Sequence, residues 1–241
     1  MSMINTLNES HLHKTLKKIY RLQNEGCEEE CKAGPYIVDL KTKEGNIIEI
    51  QTGSLGHLLP KIRYFLGEKK KITVVYPLAT QRFIESTDPE TGEKKRRRSP
   101  LHKSIYDIFR ELTGLHEILL KTGFCLEVNL ISMTEERKKT VNAVQSTNGR
   151  RRRLKNWVKT GKRLDEIQST HIFKRKSDYL KLIPKTVPER FTLSELRQEI
   201  EKQGTKVKTE SLRLMVWLYI KMGLMEKAEK KGRSNVYVLI K

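Results

Sequence analysis

The sequence predicts an α/β protein with a mixed sheet flanked by helices, followed by a small C-terminal domain of two helices and a hairpin. Some segments have apolar residues every three or four positions, as helices do, and others have alternating or continuous apolar residues, as strands do. Helical and strand segments alternate through the first two-thirds of the chain. Pro184 and Pro188 then bracket a linker before a new run of helical spacing. We therefore expect one domain over residues 1–175 and another over residues 176–241.

The first elements are a helix and a hairpin. Apolar residues at three- and four-residue spacing predict an amphipathic helix over residues 7–22, with Asn8 as its N-cap. Apolar residues then predict two strands, over residues 36–40 and 47–52, joined by a turn at residues 43–46.

The middle of the chain continues the alternation. Helical spacing predicts a helix over residues 56–66, and an apolar run predicts a buried strand over residues 72–78. Helical spacing returns over residues 105–112, and strand-like alternation over residues 125–133. Hydrophobic periodicity fades over residues 135–163, which indicates a mobile or ligand-ordered segment.

Two helices and a hairpin follow the linker. Thr192 opens a capping box for a helix to residue 202, and an apolar stripe predicts a second helix over residues 209–222. Strands over residues 224–229 and 236–240 flank a basic turn. This order resembles a winged helix-turn-helix, a fold that serves as a DNA-binding domain and as a protein-interaction module.

Basic residues are grouped in three segments. A strong turn signal at residues 88–92 precedes the first group, which we expect in a basic hairpin or loop. Trp157 and Trp217 are candidates for stacking on bases, although such residues also fill cores. The candidate phosphate contacts in these segments are Lys94, Lys95, Arg96, Arg97, Arg98, Arg150, Arg151, Arg152, Arg153, Lys206, Lys208, Arg213, Lys230, Lys231 and Arg233.

The net charge indicates a polyanionic partner. The chain has 49 Lys and Arg against 29 Asp and Glu, a formal net charge of +20. Residues 1–93 are balanced, whereas residues 137–175 hold 13 basic residues and two acidic ones. Cationic side chains that neutralise phosphates release counterions, which gives affinity for nucleic acid of any sequence. We expect DNA, duplex or branched; RNA stays open, although no RNA-binding signature is present.

The composition argues against a membrane or secreted protein. No stretch approaches the roughly 20 apolar residues of a spanning helix, and the N-terminus lacks the features of a signal peptide. The three cysteines fit a reducing compartment, so we expect a cytoplasmic, nucleoid-associated protein. Cys27 and Cys31 leave zinc open, but no second pair accompanies them. Their neighbours favour a solvated turn: Glu28, Glu29 and Glu30.

Two acidic residues are placed to meet on the hairpin. Asp39 ends its first strand, and Glu49 and Gln51 lie on the strand that returns beside it. Residues two apart in a strand share a face, so Glu49 and Gln51 point together. Adjacent carboxylates repel unless a cation lies between them, and hard divalent ions prefer oxygen ligands. The alternative is a solvated hairpin with paired surface charges, in which Glu49 is exposed and far from Asp39.

Asp39, nine intervening residues and Glu49-x-Gln51 resemble the motif of the PD-(D/E)xK, or restriction-endonuclease-like, nuclease superfamily in its Glu-x-Gln variant. The resemblance implies a restriction-endonuclease-like mixed sheet and a Mg²⁺ or Mn²⁺ ion held by Asp39 and Glu49. It also implies a further acid on the N-terminal helix, for which Glu9 fits best. A longer string over residues 49–79 resembles an uncharacterised bacterial family that joins such a core to a C-terminal winged helix.

This chain departs from the motif in two places. The residues before Asp39 lack the motif's proline, and Gln51 replaces a lysine. Glutamine can hydrogen-bond a water molecule but cannot take up its proton. His57 is open as a general base or as a surface histidine. The remaining candidate phosphate contacts near the motif are Thr52, Ser54, Lys61 and Arg63, of which Thr52 and Ser54 are also candidate helix caps.

The predicted function is metal-dependent hydrolysis of DNA by an endonuclease that a winged helix positions on its substrate. Asp39 and Glu49 would hold the metal, Gln51 would orient water, and Glu9 would support the metal shell. Two alternatives stay open: a DNA-binding regulator whose α/β domain has lost catalysis, and a recombination or replication factor that recognises DNA shape. A homodimer is possible, since two-fold DNA favours two-fold proteins.

Overall fold

The computed structural model describes residues 10–146 and 149–240. The described α-helices are α1 (His11–Gln23), α2 (Leu59–Gly67), α3 (Phe109–Leu112), α4 (Lys176–Leu180), α5 (Leu193–Lys202) and α6 (Thr209–Lys221). Short 3₁₀ helices cover Leu55–Leu58, Ile105–Ile108 and Thr113–Leu115. The described strands are β1 (Glu28–Ala33), β2 (Tyr36–Lys41), β3 (Ile47–Ile50), β4 (Ile72–Thr87), β5 (Lys94–Arg98), β6 (Phe124–Val144), β7 (Lys155–Phe173), β8 (Arg190–Thr192), β9 (Met225–Lys231) and β10 (Ser234–Leu239).

The predicted mixed sheet flanked by helices is confirmed. Seven strands form it in the order β1-β2-β3-β4-β6-β7, with β5 paired to the far end of β4. The pairs β1–β2 and β2–β3 are antiparallel, as hairpins allow. The strands β3, β4 and β6 are parallel, and α2 provides the crossover between the first two of them. The sheet therefore changes from antiparallel to parallel at β3.

The predicted first helix is present as α1, which begins at His11. The Ser10 hydroxyl accepts the N–H of His13 and so caps α1. Leu12, Leu16 and Tyr20 bury the apolar side of the helix against the sheet. The predicted cap Asn8 lies outside the described residues.

The solvated turn predicted for residues 28–30 is wrong, because these residues begin β1. Glu28 forms an ion pair with Lys41 of β2 at 3.2 Å, and Glu29 forms one with Arg21 of α1 at 2.6 Å. A run of acidic residues can therefore form an edge strand when its neighbours supply cations, which a single-sequence pattern does not show.

The mobile or ligand-ordered segment predicted for residues 135–163 is also wrong, because most of its described residues belong to β6 and β7. The strands β6 and β7 remain paired far beyond the core, from Leu126 opposite Phe173 to Val144 opposite Lys155. Together with β5 and the second half of β4 they form a four-stranded extension, here called the arm (residues 82–98, 134–146 and 149–167). Charged side chains lie on both of its faces, so the apolar alternation that predicts strands is weak, although the strands pair along most of their length.

The C-terminal elements follow the predicted order with one addition. Thr192 and Glu195 form the predicted capping box at the start of α5. The short strand β8 was not predicted; it pairs with β10, which also pairs with β9. The result is a three-stranded sheet in the order β8-β10-β9 behind α5 and α6.

Two apolar clusters cover opposite faces of the large sheet. Neighbouring residues Ile48 and Ile47 belong to different clusters, the first beneath α1 and the second beneath α2 and α3. The second cluster continues into the C-terminal elements, where Phe109 contacts Tyr219 with ring centroids 5.6 Å apart. The domain boundary predicted at residue 175 is therefore crossed by one apolar cluster. No described helix is long and apolar enough to cross a membrane.

Candidate metal and nucleic-acid site

Asp39 and Glu49 lie side by side where β2 and β3 separate. The two strands pair over residues 40–41 and 47–48. Beyond this point the Asp39 carboxylate enters the gap, and its Oδ2 accepts the backbone N–H of Ile50 at 2.7 Å. The Glu49 Oε1 accepts the N–H of Asp39 at 3.2 Å. The backbone thus holds both carboxylates at one point of the sheet.

Glu49 is buried and paired with a lysine from α2. Only 4% of Glu49 is exposed, so the solvated hairpin considered above is wrong. Lys61 lies on the first turns of α2, after Pro60, and its Nζ is 2.6 Å from Glu49 Oε1. The same ammonium donates to the carbonyl of Ile37 at 2.6 Å. Lys61 therefore ties α2 to both strands of the hairpin.

The two carboxyl groups have pKa values that are shifted in opposite directions. Burial raises the pKa of Glu49, the nearby Asp39 adds to the rise and Lys61 opposes it, so that the pKa lies at about 7. Burial also raises the pKa of Asp39, but His13, the N–H of Ile50 and Lys61 outweigh burial, and the pKa lies below its ordinary value. Near neutral pH the pair therefore carries less than two negative charges, and a cation between the carboxylates would stabilise the fully ionised form.

The helix α1 brings two basic side chains to this region that were not predicted. His13 Nε2 is 3.3 Å from Asp39 Oδ1, and Lys17 Nζ is 2.5 Å from Glu30 Oε1. Lys17 is 5% exposed. The two residues are four apart and share one side of the helix, and this spacing on the helix before the motif is the signal that could have found them.

The loop after β3 holds the next predicted residues. The Gln51 side chain turns towards the backbone, and its Oε1 accepts the N–H of Gly53 at 3.2 Å. Ser54 precedes the 3₁₀ helix but makes no side-chain capping bond, so the capping alternative is wrong for Ser54. Thr52 is half-buried, and His57 is exposed.

Of the two remaining predicted residues, the structure describes only Arg63. Arg63 forms an ion pair with Glu117 in which both side chains are more than half exposed. Glu9 lies outside the described residues. Its predicted part in the metal shell therefore stays a prediction.

A divalent metal ion at this point would have two described carboxylate donors. No group of three or more His, Cys, Asp or Glu side chains within residues 10–146 and 149–240 is placed to hold a metal ion. Mg²⁺ commonly keeps several water ligands and is bound through one or two carboxylates, so Asp39 and Glu49 fit such an ion. Cys27 and Cys31 gain no third ligand within the described chain, which leaves zinc without support there.

The first basic group forms the outer strand of the arm, in the predicted hairpin. The five side chains of β5 are exposed. Arg96 lies over the ring of Phe83 at 3.9 Å and 3.4 Å from Asp165. Lys94 and Lys95 also have acidic neighbours within 4 Å. Much of the charge of this strand is therefore balanced within the arm.

The second basic group lies at the tip of the arm, between β6 and β7. Arg150, Arg152 and Arg153 are exposed. Arg151 folds back, donates to the carbonyls of Val144 and Trp157 at 3.2 and 3.0 Å, and lies 4.1 Å from the centre of the Trp157 ring. Arg151 thus anchors the arginine run to both strands that flank it.

The third basic group is exposed on the C-terminal elements. Lys208 lies 3.5 Å from Asp107 at the start of α6, and Arg213 lies on the exposed side of that helix. Trp217 is 40% exposed and contacts His116 edge-on. The other members of the group are exposed as well: Lys206, Lys230, Lys231 and Arg233.

A fourth basic group was not predicted. Arg82, Arg137 and Lys159 come from β4, β6 and β7 and surround the buried carboxylate of Glu135. The signal was the alternation along residues 133–137, which places Glu135 and Arg137 on one face of a strand. This basic group was not predicted because the apolar periodicity that identifies strands is weak over these residues.

A family model and one curated relative match the chain. The model, described as "Domain of unknown function (DUF8091)", matches residues 10–174. An uncharacterized protein of Treponema pallidum (strain Nichols) is 28% identical over 234 residues, which covers 97% of this chain and 86% of the relative. No solved structure matches. The family match includes the carboxylate pair and the arm, and the relative extends through the C-terminal elements.

Proposed function

We propose that this chain, which belongs to the DUF8091 family, is a metal-dependent DNA endonuclease. The observation that carries the proposal is the buried arrangement of Asp39, Glu49 and Lys61. The two carboxylates come from adjacent strands, and each accepts a backbone N–H from the other strand. The pKa of Glu49 is about 7. A carboxyl whose pKa is perturbed by burial together with specific charged partners is a candidate for a functional site.

The order of elements supports a restriction-endonuclease-like core. A helix precedes the hairpin that carries the two acids, and a helix and an apolar parallel strand follow it. This is the arrangement that the resemblance to the PD-(D/E)xK superfamily implies. Asp39 lies near the end of β2 and Glu49 within β3, as the motif requires.

The residues of the site would divide the work as follows. Asp39 and Glu49 would hold Mg²⁺ or Mn²⁺, which polarises a phosphoryl oxygen and lowers the pKa of a bound water. Lys61 is the cation nearest to Glu49 and would meet the negative charge that develops on the phosphate. It supplies from α2 the charge that the motif usually carries at the position of Gln51. The amide of Gln51 is left to orient water.

The C-terminal elements would position the site on DNA. The order α4, β8, α5, α6, β9, β10 with the sheet β8-β10-β9 is the order of a winged helix, which supports that assignment. In this arrangement α6 presents Arg213, and the turn after β9 presents Lys231 and Arg233. We infer a cytoplasmic, nucleoid-associated protein from this proposal, and a homodimer as a possible form.

The second candidate is a catalytically inactive DNA-binding protein. Gln51 favours it, because its amide oxygen is bonded to the Gly53 N–H and glutamine cannot accept a proton from water. This candidate keeps DNA binding and predicts no dependence of binding on Asp39 or Glu49.

A cleavage assay separates the two candidates. The purified chain is incubated with duplex, nicked, branched and single-stranded DNA, with Mg²⁺, with Mn²⁺ or with EDTA. We expect metal-dependent cleavage of at least one substrate, and its loss in Asp39→Asn and Glu49→Gln. Arg63→Met is the matched control, because Arg63 lies two residues from Lys61 and pairs with Glu117 in solvent. Cleavage that survives both carboxylate substitutions, or no cleavage of any substrate, contradicts the endonuclease.

A further inference from the structure

The arm carries a cluster of cations around one buried carboxylate, here called the Glu135 cluster (Glu135, Arg82, Arg137, Lys159 and Lys162). Glu135 is 6% exposed. Arg137 donates to its Oε1 through Nε and NH2 at 2.8 and 2.6 Å. Arg82 and Lys159 approach its Oε2 at 3.6 and 3.5 Å. One carboxylate therefore organises cations from three strands.

The charges of the cluster do not balance. Three cations contact the Glu135 carboxylate, and a fourth, Lys162, lies opposite Glu135 on β7. Within the described chain no carboxylate forms an ion pair with Lys162. Burial lowers the pKa of Lys162, and the positive charges of Lys159, Arg82 and Lys103 lower it further. The Nε of Arg82 is buried without a hydrogen-bond partner in the described structure. The fold thus keeps positive charges together at a cost to its own stability.

The opposite face of the arm shows that this imbalance is local. Glu136 follows Glu135 along β6 and so points to the other face. There Arg163 lies 3.0 Å from Glu136, 3.7 Å from Glu85 and 3.7 Å from Asp165. On that face each of these three carboxylates has a basic partner: Arg163 contacts all three, Lys94 contacts Glu85 and Arg96 contacts Asp165.

Aromatic contacts extend the cationic face towards the tip of the arm. The guanidinium group of Arg137 lies 3.6 Å from the centre of the Trp157 ring, and that of Arg151 lies 4.1 Å from it. The planar guanidinium groups are thereby held in place rather than left free in solvent. The face continues from Arg82, near the core, to the arginine run at the tip.

We propose that the Glu135 cluster binds backbone phosphates of DNA, with Glu135 acting as a positioning residue for the cations. The inference rests on the proposed function, because it identifies the Glu135 cluster as a surface through which the proposed endonuclease binds DNA. An excess of fixed, partly desolvated cations is what a phosphodiester needs, and the anion removes the repulsion within the cluster. The strand β4 links this surface to the carboxylate site: from Val75, which pairs with Ile50, to Arg82 is roughly 23 Å at about 3.3 Å per residue. This distance corresponds to about seven nucleotide steps.

The test measures how DNA affinity depends on salt in Lys159→Met and Lys162→Met. Binding of a fluorescent duplex is followed by anisotropy from low to high salt, in EDTA so that no cleavage occurs. Each substitution should reduce the slope of log affinity against log salt by about 0.9, the value for one lost phosphate contact. Arg163→Met removes the same charge from the same strand and should leave the slope unchanged.

Thermal unfolding provides the readout that a structural role would not give. Lys162→Met relieves repulsion, so its midpoint should rise while its DNA affinity falls. A lower midpoint together with unchanged affinity would show that Lys162 only supports the fold, and would overturn the inference.

The outcomes separate this inference from the proposed function. If the chain binds DNA through Lys159 and Lys162 but never cleaves it, the endonuclease is wrong and the phosphate site stands. If the chain cleaves DNA and both variants bind as the wild type does, the phosphate site is wrong and the endonuclease stands. Dependence on Lys159 and Lys162 that appears only with anionic lipid vesicles, or the absence of any DNA binding at low salt, also overturns the phosphate site.

Discussion

Replacing Glu49 by glutamine should stabilise the protein, and the gain should depend on pH. The pKa of Glu49 rises from 4.5 to about 7 on folding, chiefly through burial. A carboxyl whose pKa is raised in the folded state costs stability once it ionises, so the cost begins to appear near pH 4.5 and is complete above pH 7. The change corresponds to about 3 kcal/mol, because each tenfold change in proton affinity is about 1.4 kcal/mol. Glutamine keeps the shape of the side chain and never ionises.

The assay is urea denaturation of wild type and Glu49→Gln from pH 4 to pH 9, in EDTA. We expect equal free energies of unfolding near pH 4 and a difference of about 3 kcal/mol in favour of the variant at pH 9. In thermal melts at pH 8 this difference would raise Tm by roughly 6 to 12 °C for a chain of this size.

Asp39→Asn is the matched control, since it is the same chemical change at the neighbouring carboxyl. The pKa of Asp39 is lowered in the folded protein, so its ionised form stabilises the fold above the pKa of the unfolded chain. The variant should therefore be less stable than wild type at neutral pH and approach it as the pH falls through the folded pKa. A Glu49→Gln difference that does not change with pH would refute the reasoning, because it would mean that Glu49 is not held against Asp39 in a buried setting.

Three further predictions test other parts of the account. Lys61→Met should move the midpoint of the pH–rate profile of cleavage to higher pH, because Lys61 lowers the pKa of Glu49, whereas Arg63→Met should leave the midpoint in place. Thr192→Ala should lower the free energy of unfolding by about 1 kcal/mol through loss of the capping box, measured by urea denaturation. Phe109→Ala should lower the free energy of unfolding by about 3 to 5 kcal/mol. Unfolding should still be one cooperative transition in calorimetry, because the apolar cluster around Phe109 includes both the large sheet and α6. Two separate transitions would contradict that continuity.

The elements that bury an apolar face could be predicted from the sequence. The helix α1, the hairpin of β2 and β3, and the helices α5 and α6 all follow from apolar spacing and turn residues. The capping box at Thr192 even gave the start of α5 correctly. In each case local sequence and tertiary packing favour the same structure.

The arm could not be predicted, because nothing local favours it. Residues 135–163 carry charges on both faces, and the strands exist through their backbone ladder and through ion pairs between residues far apart in sequence, such as Arg163 and Glu136. The edge strand β1 was missed for the same reason. Cross-strand partners are visible only once the register is known.

The candidate site was found in part. Strand alternation and turn length could place Asp39 beside Glu49, since both lie on one hairpin. The contributions of His13 and Lys61 depend on where α1 and α2 cross the sheet, which no spacing within the motif reveals. The Glu135 cluster combines residues from β4, β6 and β7. Arg82 on β4 and Glu135 on β6 are more than 50 positions apart in the sequence.

The most direct test of the central claim is a count of the Mn²⁺ ions bound per chain at pH 8, from the electron paramagnetic resonance signal of free Mn²⁺. Asp39 and Glu49 together should hold an ion that both Asp39→Asn and Glu49→Gln lose and that Arg63→Met retains. Binding should weaken below pH 7, where protons compete for Glu49. A wild-type chain that binds no Mn²⁺, or carboxylate variants that bind as much as wild type, would contradict the claim that these two residues form a metal site.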